Sequence, residues 1–445
     1  MDAETLHRWQ ERQLIYQVNY VYESSPFYKW FYQRHRVDIG KVTSMEQFQQ
    51  RIPIVRKDDL REYQELTGDP YAGLCCVPRE QLVHTWVSSG TTGMPTLGGY
   101  TREDMAIAIE VYARNAYGSG LYRPGMRMLC STAAWHWISP LYWGMTRRLG
   151  LRPVVASFQH PNRLERLIWL MERFQPEMLI SVSSELTTLI PHKLMEMNLN
   201  PQNVLKYIQL VVPNGEPLTP ERKRLIKTYW GEHVQIQETA GSGAGESFAW
   251  ARTTLCPEHD GGHLWGDIIF PEIVDPDTGR VLPNGEWGEF VSTHLVTWGM
   301  PYIRFGTEDI SRLLDVACPR LAHPVADTII GRTGWRAKVN GNTIVPFDVE
   351  VILQRHKETE KAQFCIRNYL NQRSLHLDVV YDEHRTADPE ELRQRLIREL
   401  REAFGVDVKL RWVREEDIPR HVHHKLIKFV HTKQDESEAD ISERS

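Results

Sequence analysis

Ser88-Ser89-Gly90-Thr91-Thr92-Gly93-Met94-Pro95-Thr96 is the most informative stretch of the chain. Gly90 and Gly93 let the backbone approach a ligand closely and turn several N–H groups toward an anion, and the hydroxyls of Ser88, Ser89, Thr91 and Thr92 add donors. The segment therefore reads as a phosphate-gripping loop. It is not a Walker A loop, which needs Lys and then Ser or Thr after its last glycine, where this chain has Met94 and Pro95. Taken alone, the peptide reads equally well as a flexible Ser/Thr/Gly linker. Its surroundings favour the loop. His84-Thr85-Trp86-Val87 before it is strand-like, and Thr101-Arg102-Glu103-Asp104 after it has the pattern of a capping box opening a helix through Ile107, Ala108, Val111 and Tyr112.

Nearer the N-terminus, Leu6, Trp9, Leu14, Val18 and Val21 repeat with a period near 3.6 before a turn at Ser24-Ser25-Pro26. Residues 1–84 are accordingly expected to be a helical lead-in that packs as a layer. From about residue 85 to 330, short apolar runs alternate with amphipathic helices. Met128-Leu129-Cys130, Pro153-Val154-Val155-Ala156 and Met178-Leu179-Ile180-Ser181 are the strand candidates, and the helix from Leu164 to Phe174 separates two of them. Strands separated by helices predict a parallel sheet and an α/β class. From about 266 to 330, Pro271, Pro276, Thr278-Gly279, Pro283-Asn284-Gly285 and Gly288 punctuate short alternating strands such as Glu289-Phe290-Val291-Ser292, which predicts a β-rich subdomain. Beyond Gly331-Arg332-Thr333-Gly334 the pattern is strand, helix, strand, strand, helix, strand, with a helix from Glu390 to Ala403. The expected division is a large domain over 1–333, a small α+β domain over 334–433 on a glycine-containing hinge, and a disordered acidic tail over 434–445.

Composition narrows the function. With 445 residues, 41% of them hydrophobic, the chain can bury a large core. A net charge of -5 without a Lys/Arg block gives no reason to expect nucleic acid or a membrane surface as partner. No apolar run approaches the roughly 20 residues that span a bilayer, and the chain opens Met1-Asp2-Ala3-Glu4 without an apolar signal segment, so the expected location is cytoplasmic. Six cysteines, two of them adjacent at Cys75-Cys76, suit a reducing compartment and mostly free thiols.

The ordered landmarks resemble the phenylacetate-coenzyme A ligase family of adenylate-forming enzymes. They are Ser24-Ser25-Pro26-Phe27-Tyr28, Val77-Pro78-Arg79-Glu80-Gln81, the loop with Gly99-Tyr100-Thr101, Gly215-Glu216-Pro217, Pro271-Glu272-Ile273-Val274-Asp275-Pro276, Pro301-Tyr302-Ile303-Arg304, Asp309-Ile310, Gly331-Arg332 and Lys425. The resemblance implies a large N-terminal adenylate-forming domain with a small mobile C-terminal domain. It also implies an activity: ATP and a carboxylic acid, aromatic in this reading, give an acyl-adenylate, and the acyl group passes to the thiol of coenzyme A. It assigns Ser88, Ser89, Gly90, Thr91, Thr92 and Gly93 to the phosphates, Gly215, Glu216 and Pro217 to the adenine, Asp309 to the ribose hydroxyls and Arg332 to the same nucleotide. Glu246, in Gly243-Ala244-Gly245-Glu246-Ser247, is assigned to magnesium, and Lys425 to catalysis as a mobile lysine.

Trp135, His136, Trp137, Tyr142 and Trp143, with Gly243, fall where the family builds its acyl pocket, and indole walls suit an aryl ring. Buried aromatics that merely fill a core are the competing reading of these positions. Some relatives carry a zinc site here, which implies Cys256, His263, Cys318 and His323 as structural ligands, with His259 able to substitute. A homodimer is the candidate assembly. Three positions depart from the family: Met94 for a lysine, Ser242 for an aromatic on the adenine, and Gly334 for a hinge aspartate. They leave open an amine or carrier-protein acceptor, or an inactive nucleotide-binding relative.

Overall fold

The computed structural model of the protein describes residues 1–87, 96–118, 120–131, 139–156, 160–214, 217–237, 256, 258–419 and 427–432. Two compact units emerge: Met1–Leu218 with Ile226–Ile329, and Thr219–Leu225 with Ile330–Ser445. The sequence placed the boundary after residue 333. The tail over 434–445 lies outside the described residues.

The lead-in forms four helices, α1 (Ala3–Ser24), α2 (Pro26–Arg34), α3 (Met45–Arg51) and α4 (Lys57–Thr67). Each start has a local cause. Asp2 accepts from Thr5 N at 2.7 Å, and Ser25 caps α2 through Tyr28 N, with Pro26 at the first helical position where its missing N–H costs nothing. Gly68 ends α4 in the left-handed region at φ 69°. The predicted face of α1 is buried at Leu6, Leu14, Val18 and Val21. Phe27, Tyr28, Phe31 and Phe48 of this layer share one core with Phe270 and Phe305.

Strand β1 (Leu82–Val87) is followed by β2 (Leu97–Thr101), which pairs with it antiparallel from Val87↔Leu97 back to Leu82↔Thr101. The phosphate-loop sequence therefore joins two strands of a hairpin, where a strand running directly to a helix was expected. The double glycine conceals β2 from sequence reading, yet packing demands it: a Cβ on Gly98 would stand 2.1 Å from the Trp86 indole. Helix α5 (Arg102–Gly118) opens with the anticipated capping box, Thr101 N donating to Asp104 Oδ2 at 3.0 Å and Asp104 N to Thr101 Oγ1 at 3.1 Å. Asp104 is fully buried and also accepts from Trp298 N at 2.8 Å and Gly299 N at 2.9 Å.

Strands and helices then alternate as predicted: β3 (Arg127–Cys130), α6 (Ser139–Leu149), β4 (Arg152–Val155), α7 (Arg163–Phe174), β5 (Met178–Val182), α8 (Ile190–Glu196), α9 (Pro201–Leu205), β6 (Leu210–Asn214), α10 (Pro220–Trp230) and β7 (Gln235–Ile236). The five strands make one parallel sheet in the order β4-β3-β5-β6-β7. Separate apolar clusters cover it, Met128, Ile180 and Val212 belonging to one and Leu129, Leu179 and Val211 to the other. Burial on both faces is why these strands read as continuous apolar runs.

The β-rich region contains β8 (Gly262–His263), β9 (Ile269–Val274), β10 (Gly288–His294), β11 (Phe305–Ser311), β12 (Leu313–Leu314) and β13 (Val325–Ala326). Antiparallel pairing joins β9 to β10 and β10 to β11, while β12, β13 and β8 form a small separate sheet. Every residue of β10 is buried. The alternation in Glu289-Phe290-Val291-Ser292 thus marks a strand enclosed on both faces, its polar members held by internal partners, where a half-exposed strand was expected.

The second unit holds β14 (Gly331–Arg332), the hairpin β15 (Ala337–Val339) and β16 (Asn342–Ile344), then α11 (Pro346–Leu353), β17 (Phe364–Tyr369), β18 (Ser374–Val379), α12 (Pro389–Phe404), β19 (Asp407–Trp412) and β20 (Phe429–Thr432). Its sheet runs β19-β18-β17-β20 over a core that includes Leu392, Leu396 and Leu400 of α12. The sequence pattern missed β20, four residues that pair parallel with β17 only through long-range contact. Within this unit Glu350 is buried among Arg222 Nε at 2.9 Å, Lys428 Nζ at 2.6 Å and Gln354 Nε2 at 3.2 Å.

Asp104 carries the joint between α5 and the Trp298-Gly299 turn. Asp104→Ala would leave the buried N–H groups of Thr101 and Gly299 and the part-buried N–H of Trp298 without their acceptor, an expected loss of about 3 kcal/mol. The melting temperature and urea midpoint should both fall clearly. An unchanged midpoint would show that the carboxylate is dispensable.

Candidate active site

Asp309 lies near the end of β11 and is 5% exposed. Its placement depends on an irregular pairing. The register runs Gly288↔Ser311 and Glu289↔Ile310, then resumes at Val291↔Gly306. Phe290 alone therefore faces Thr307, Glu308 and Asp309, and the extra length bulges. Thr307 Oγ1 donates to Phe290 O at 2.7 Å and accepts from Asp309 N at 3.2 Å, so the bulge is hydrogen-bonded internally. Such bulges re-aim side chains and recur beside active sites. Asp309 is thus buried on a strand whose bulge is closed by its own hydrogen bonds.

Pro217 is half-buried immediately after β6 and residues 215–216, and Asn214 closes that strand in register with Val182 of β5. This is the carboxyl edge of the parallel sheet, where open α/β folds receive ligands. In the second unit, Arg332 is half-buried with its guanidinium 5.7 Å from the Trp335 ring centroid. Gly334, two residues on, is exposed and has no atom within 4 Å of where a Cβ would stand. Packing therefore does not require glycine at that position.

Among the aromatic candidates, Tyr142 is 7% exposed and meets Tyr112 edge to face at 5.4 Å, within the core of the first unit. Burial raises its phenol well above the usual tyrosine value. Trp143 follows it on α6 and is 37% exposed, as expected for neighbours about 100° apart around a helix. The helix does not bring the two side chains to one face. Trp135, His136, Trp137, Ser88, Ser89, Gly90, Thr91, Thr92, Gly93, Met94, Gly215, Glu216, Ser242, Gly243, Glu246 and Lys425 lie outside the described residues.

The Cys/His group converges, with one change of membership. Ligand atoms of Cys256, His259, His263 and Cys318 all lie within 4.8 Å of one another. The Cys256 and Cys318 sulfurs are 3.6 Å apart, and the Nε2 atoms of His259 and His263 are 3.2 Å apart. A tetrahedral zinc with bonds of about 2.3 Å to sulfur and 2.0 Å to nitrogen requires edges of about 3.8 and 3.3 Å. The donor set fits that ion. His263 Nδ1 lies 3.0 Å from His323 O and His259 Nδ1 lies 2.7 Å from Asp260 O, carbonyl partners that leave both Nε2 atoms free to ligate. Burial alone would raise the Cys318 thiol. Hydrogen bonds from the Leu321 and Arg320 backbone, His263 and Cys256 outweigh it and draw the thiol down to about 6.

His323, expected as the fourth ligand, stands outside this group. Its Nδ1 accepts from Gly266 N at 3.0 Å and its ring packs edge-on against Trp265 at 5.3 Å. It contributes its carbonyl to His263, and its imidazole supports the Trp265 turn. The spacing His259-x3-His263 was the sequence signal for the pair that converges with the cysteines, since two histidines three to five residues apart form a common zinc half-site. All six cysteines are free thiols.

An α/β unit followed in sequence by an α+β unit is the architecture of the adenylate-forming CoA ligases. A solved 2-hydroxyisobutyryl-CoA ligase in complex with an acyl-AMP shares the fold at TM-score 0.84 and 23% identity, over 97% of this chain and 90% of that one. A second structure of that ligase, in an open conformation with acyl-AMP and CoA, matches at TM-score 0.72 and 23% identity, over 97% of this chain and 92% of that one. No family profile matches the chain. The phenylacetate-coenzyme A ligase of Thermus thermophilus is 30% identical over 96% of both chains, and that of Pseudomonas putida 29% identical over 78% of this chain and 75% of its own. This chain belongs to the phenylacetate-coenzyme A ligase family.

Proposed function

We propose that the protein uses ATP to activate a carboxylic acid as its acyl-adenylate and then transfers the acyl group to coenzyme A. In the first step a carboxylate oxygen attacks the α-phosphorus and pyrophosphate departs. In the second the sulfur of coenzyme A attacks the acyl carbon and AMP departs. The observation that carries this reading is the relationship to a phenylacetate-coenzyme A ligase across 96% of both chains. The presentation of Asp309 on its bulge supports it, because a fixed carboxylate can accept from both ribose hydroxyls. In this proposal the Ser88–Gly93 loop holds the β- and γ-phosphates and Lys425 stabilises charge as the carboxylate meets the α-phosphorus. Arg332 and the Gly215–Pro217 segment bind the rest of the nucleotide. Magnesium held at Glu246 would neutralise the triphosphate.

The acid is proposed to be aromatic, with Trp135, Trp137 and Tyr142 as apolar walls. The Cys256, His259, His263 and Cys318 group is proposed to hold a structural zinc that ties residue 256 to the β-rich region. The free thiols support a cytoplasmic location. No helix among the described residues is long and apolar enough to cross a membrane.

A screen of aryl and aliphatic acids for pyrophosphate release, with and without coenzyme A, tests the function. Acid-dependent release, fastest with aryl acids, is expected, with thioester formation once coenzyme A is added. Well-folded protein that releases no pyrophosphate with any acid would refute it. Lys425→Ala should lose adenylation by at least about 100-fold while retaining ATP binding by calorimetry. Wild-type turnover in that variant would remove the lysine from catalysis. Purified protein should contain about one zinc per chain, falling below roughly 0.2 in His259→Ala and Cys318→Ser and unchanged in His323→Ala. Loss of zinc in His323→Ala with retention in His259→Ala would reverse the ligand assignment.

A further inference from the structure

The bulge that presents Asp309 is held from outside its own strand, by two consecutive residues of the helical lead-in. Val55 bridges β11 in the manner of an added strand: Val55 N donates to Arg304 O at 2.9 Å, and Gly306 N donates to Val55 O at 3.0 Å. This docks Arg56 and Lys57 against the bulge. The Arg56 guanidinium pairs with Glu289, whose side chain is 1% exposed. The other oxygen of that carboxylate accepts from Glu308 N at 3.1 Å. Lys57 Nζ lies 3.0 Å from the Glu308 carboxylate. Asp59 fixes the backbone of Arg56, accepting its N–H at 2.7 Å. The arrangement has no room for a side chain at residue 306, where a Cβ would stand 2.5 Å from Arg56 Nη1 and 2.6 Å from Glu289 Oε1.

Two features are unfavourable for a region that only fills a core. Glu308 adopts φ 65°, a left-handed conformation that disfavours a residue with a side chain. Glu289 places a carboxylate inside the sheet, where desolvation offsets much of what its ion pair contributes. A straight strand with an apolar residue at 289 would avoid both. Together they force three residues of β11 to face one of β10, and Asp309 is the last of the three.

We infer that Arg56 and Glu289 are positioning residues for Asp309: through the Glu308 amide they shape the bulge that aims its carboxylate at the ribose of ATP. The inference rests on the proposed nucleotide-binding role of Asp309. Neither residue needs to touch the nucleotide. The helical layer thereby acquires a functional part, because it delivers the cation that keeps the buried carboxylate in place.

The test compares kcat/KM for ATP with that for 2′,3′-dideoxy-ATP, which lacks the hydroxyls Asp309 would bind. The variants are Asp309→Ala, Glu289→Leu, Glu289→Gln, Arg56→Met and Arg56→Lys. Asp309→Ala should bring the ATP/dideoxy-ATP ratio close to one. Glu289→Leu and Arg56→Met should lower that ratio about tenfold, the loss expected for a misaligned hydrogen bond to a charged group, while kcat/KM for the dideoxy nucleotide stays within about twofold of wild type. Glu289→Gln keeps an acceptor for Glu308 N and should fall between, and Arg56→Lys should restore most of the ratio. If Glu289→Leu does not fold, Arg56→Met, altering a side chain one-third exposed, carries the test. Equal losses for both nucleotides, or an unchanged ratio in Arg56→Met, would overturn the inference while Asp309→Ala still collapsed the ratio. A wild-type ratio in Asp309→Ala would instead overturn the ribose role itself.

Discussion

The first unit depends on the buried guanidinium of Arg304. Arg304 is 4% exposed and donates to both oxygens of Glu272, at 3.1 and 2.9 Å, and to the carbonyls of Gln49 at 2.7 Å and Ile52 at 2.6 Å. Burial raises the Glu272 carboxyl, and the adjacent guanidinium opposes that shift. One planar cation thus joins the end of α3, the centre of β9 and the entry to β11. Removing one partner of such a pair strands a buried charge, at a cost of about 3–5 kcal/mol. The same contacts order the chain from Gln49 to Lys57 against the β-rich region, so the bulge around Asp309 inherits its geometry from this joint.

Burial of both charges gives the joint directional character that an apolar contact would lack. A guanidinium offers five donors in a fixed plane, and here four of its interactions are specified by partners on β9 and at the end of α3. Apolar packing around Phe48, Phe270 and Phe305 supplies the cohesion of this region. The ion pair supplies register. Arg304 itself has φ 45°, a further sign that backbone preference yields to the demands of this joint.

The sequence made the α/β framework legible because local periodicity and burial agreed in it. Leu6, Leu14, Val18 and Val21 mark one helical face, and Met178-Leu179-Ile180-Ser181 mark a strand enclosed by both cores. Legibility ended where the determinants were distant. Arg56 and Glu289 are separated by 233 residues, and neither has a local pattern that identifies the other. Strand β2 was hidden by Gly98 and Gly99, whose lack of side chains is a response to the Trp86 ring. His323 was favoured over His259 as a metal ligand through resemblance, although the nearer histidine is the one that converges with the cysteines. Asp309, in contrast, has only its place in an ordered series of motifs to single it out, since an aspartate ahead of an apolar residue is ordinarily a turn or cap.

The proposed chemistry turns on a carboxylate oxygen of the acid attacking the α-phosphorus of ATP. Supplying the acid labelled with oxygen-18 in its carboxylate, with ATP and coenzyme A, and analysing the nucleotide product by mass spectrometry tests it most directly. The AMP should carry one labelled oxygen and the pyrophosphate none. Unlabelled AMP, or ADP with the label in inorganic phosphate, would contradict it.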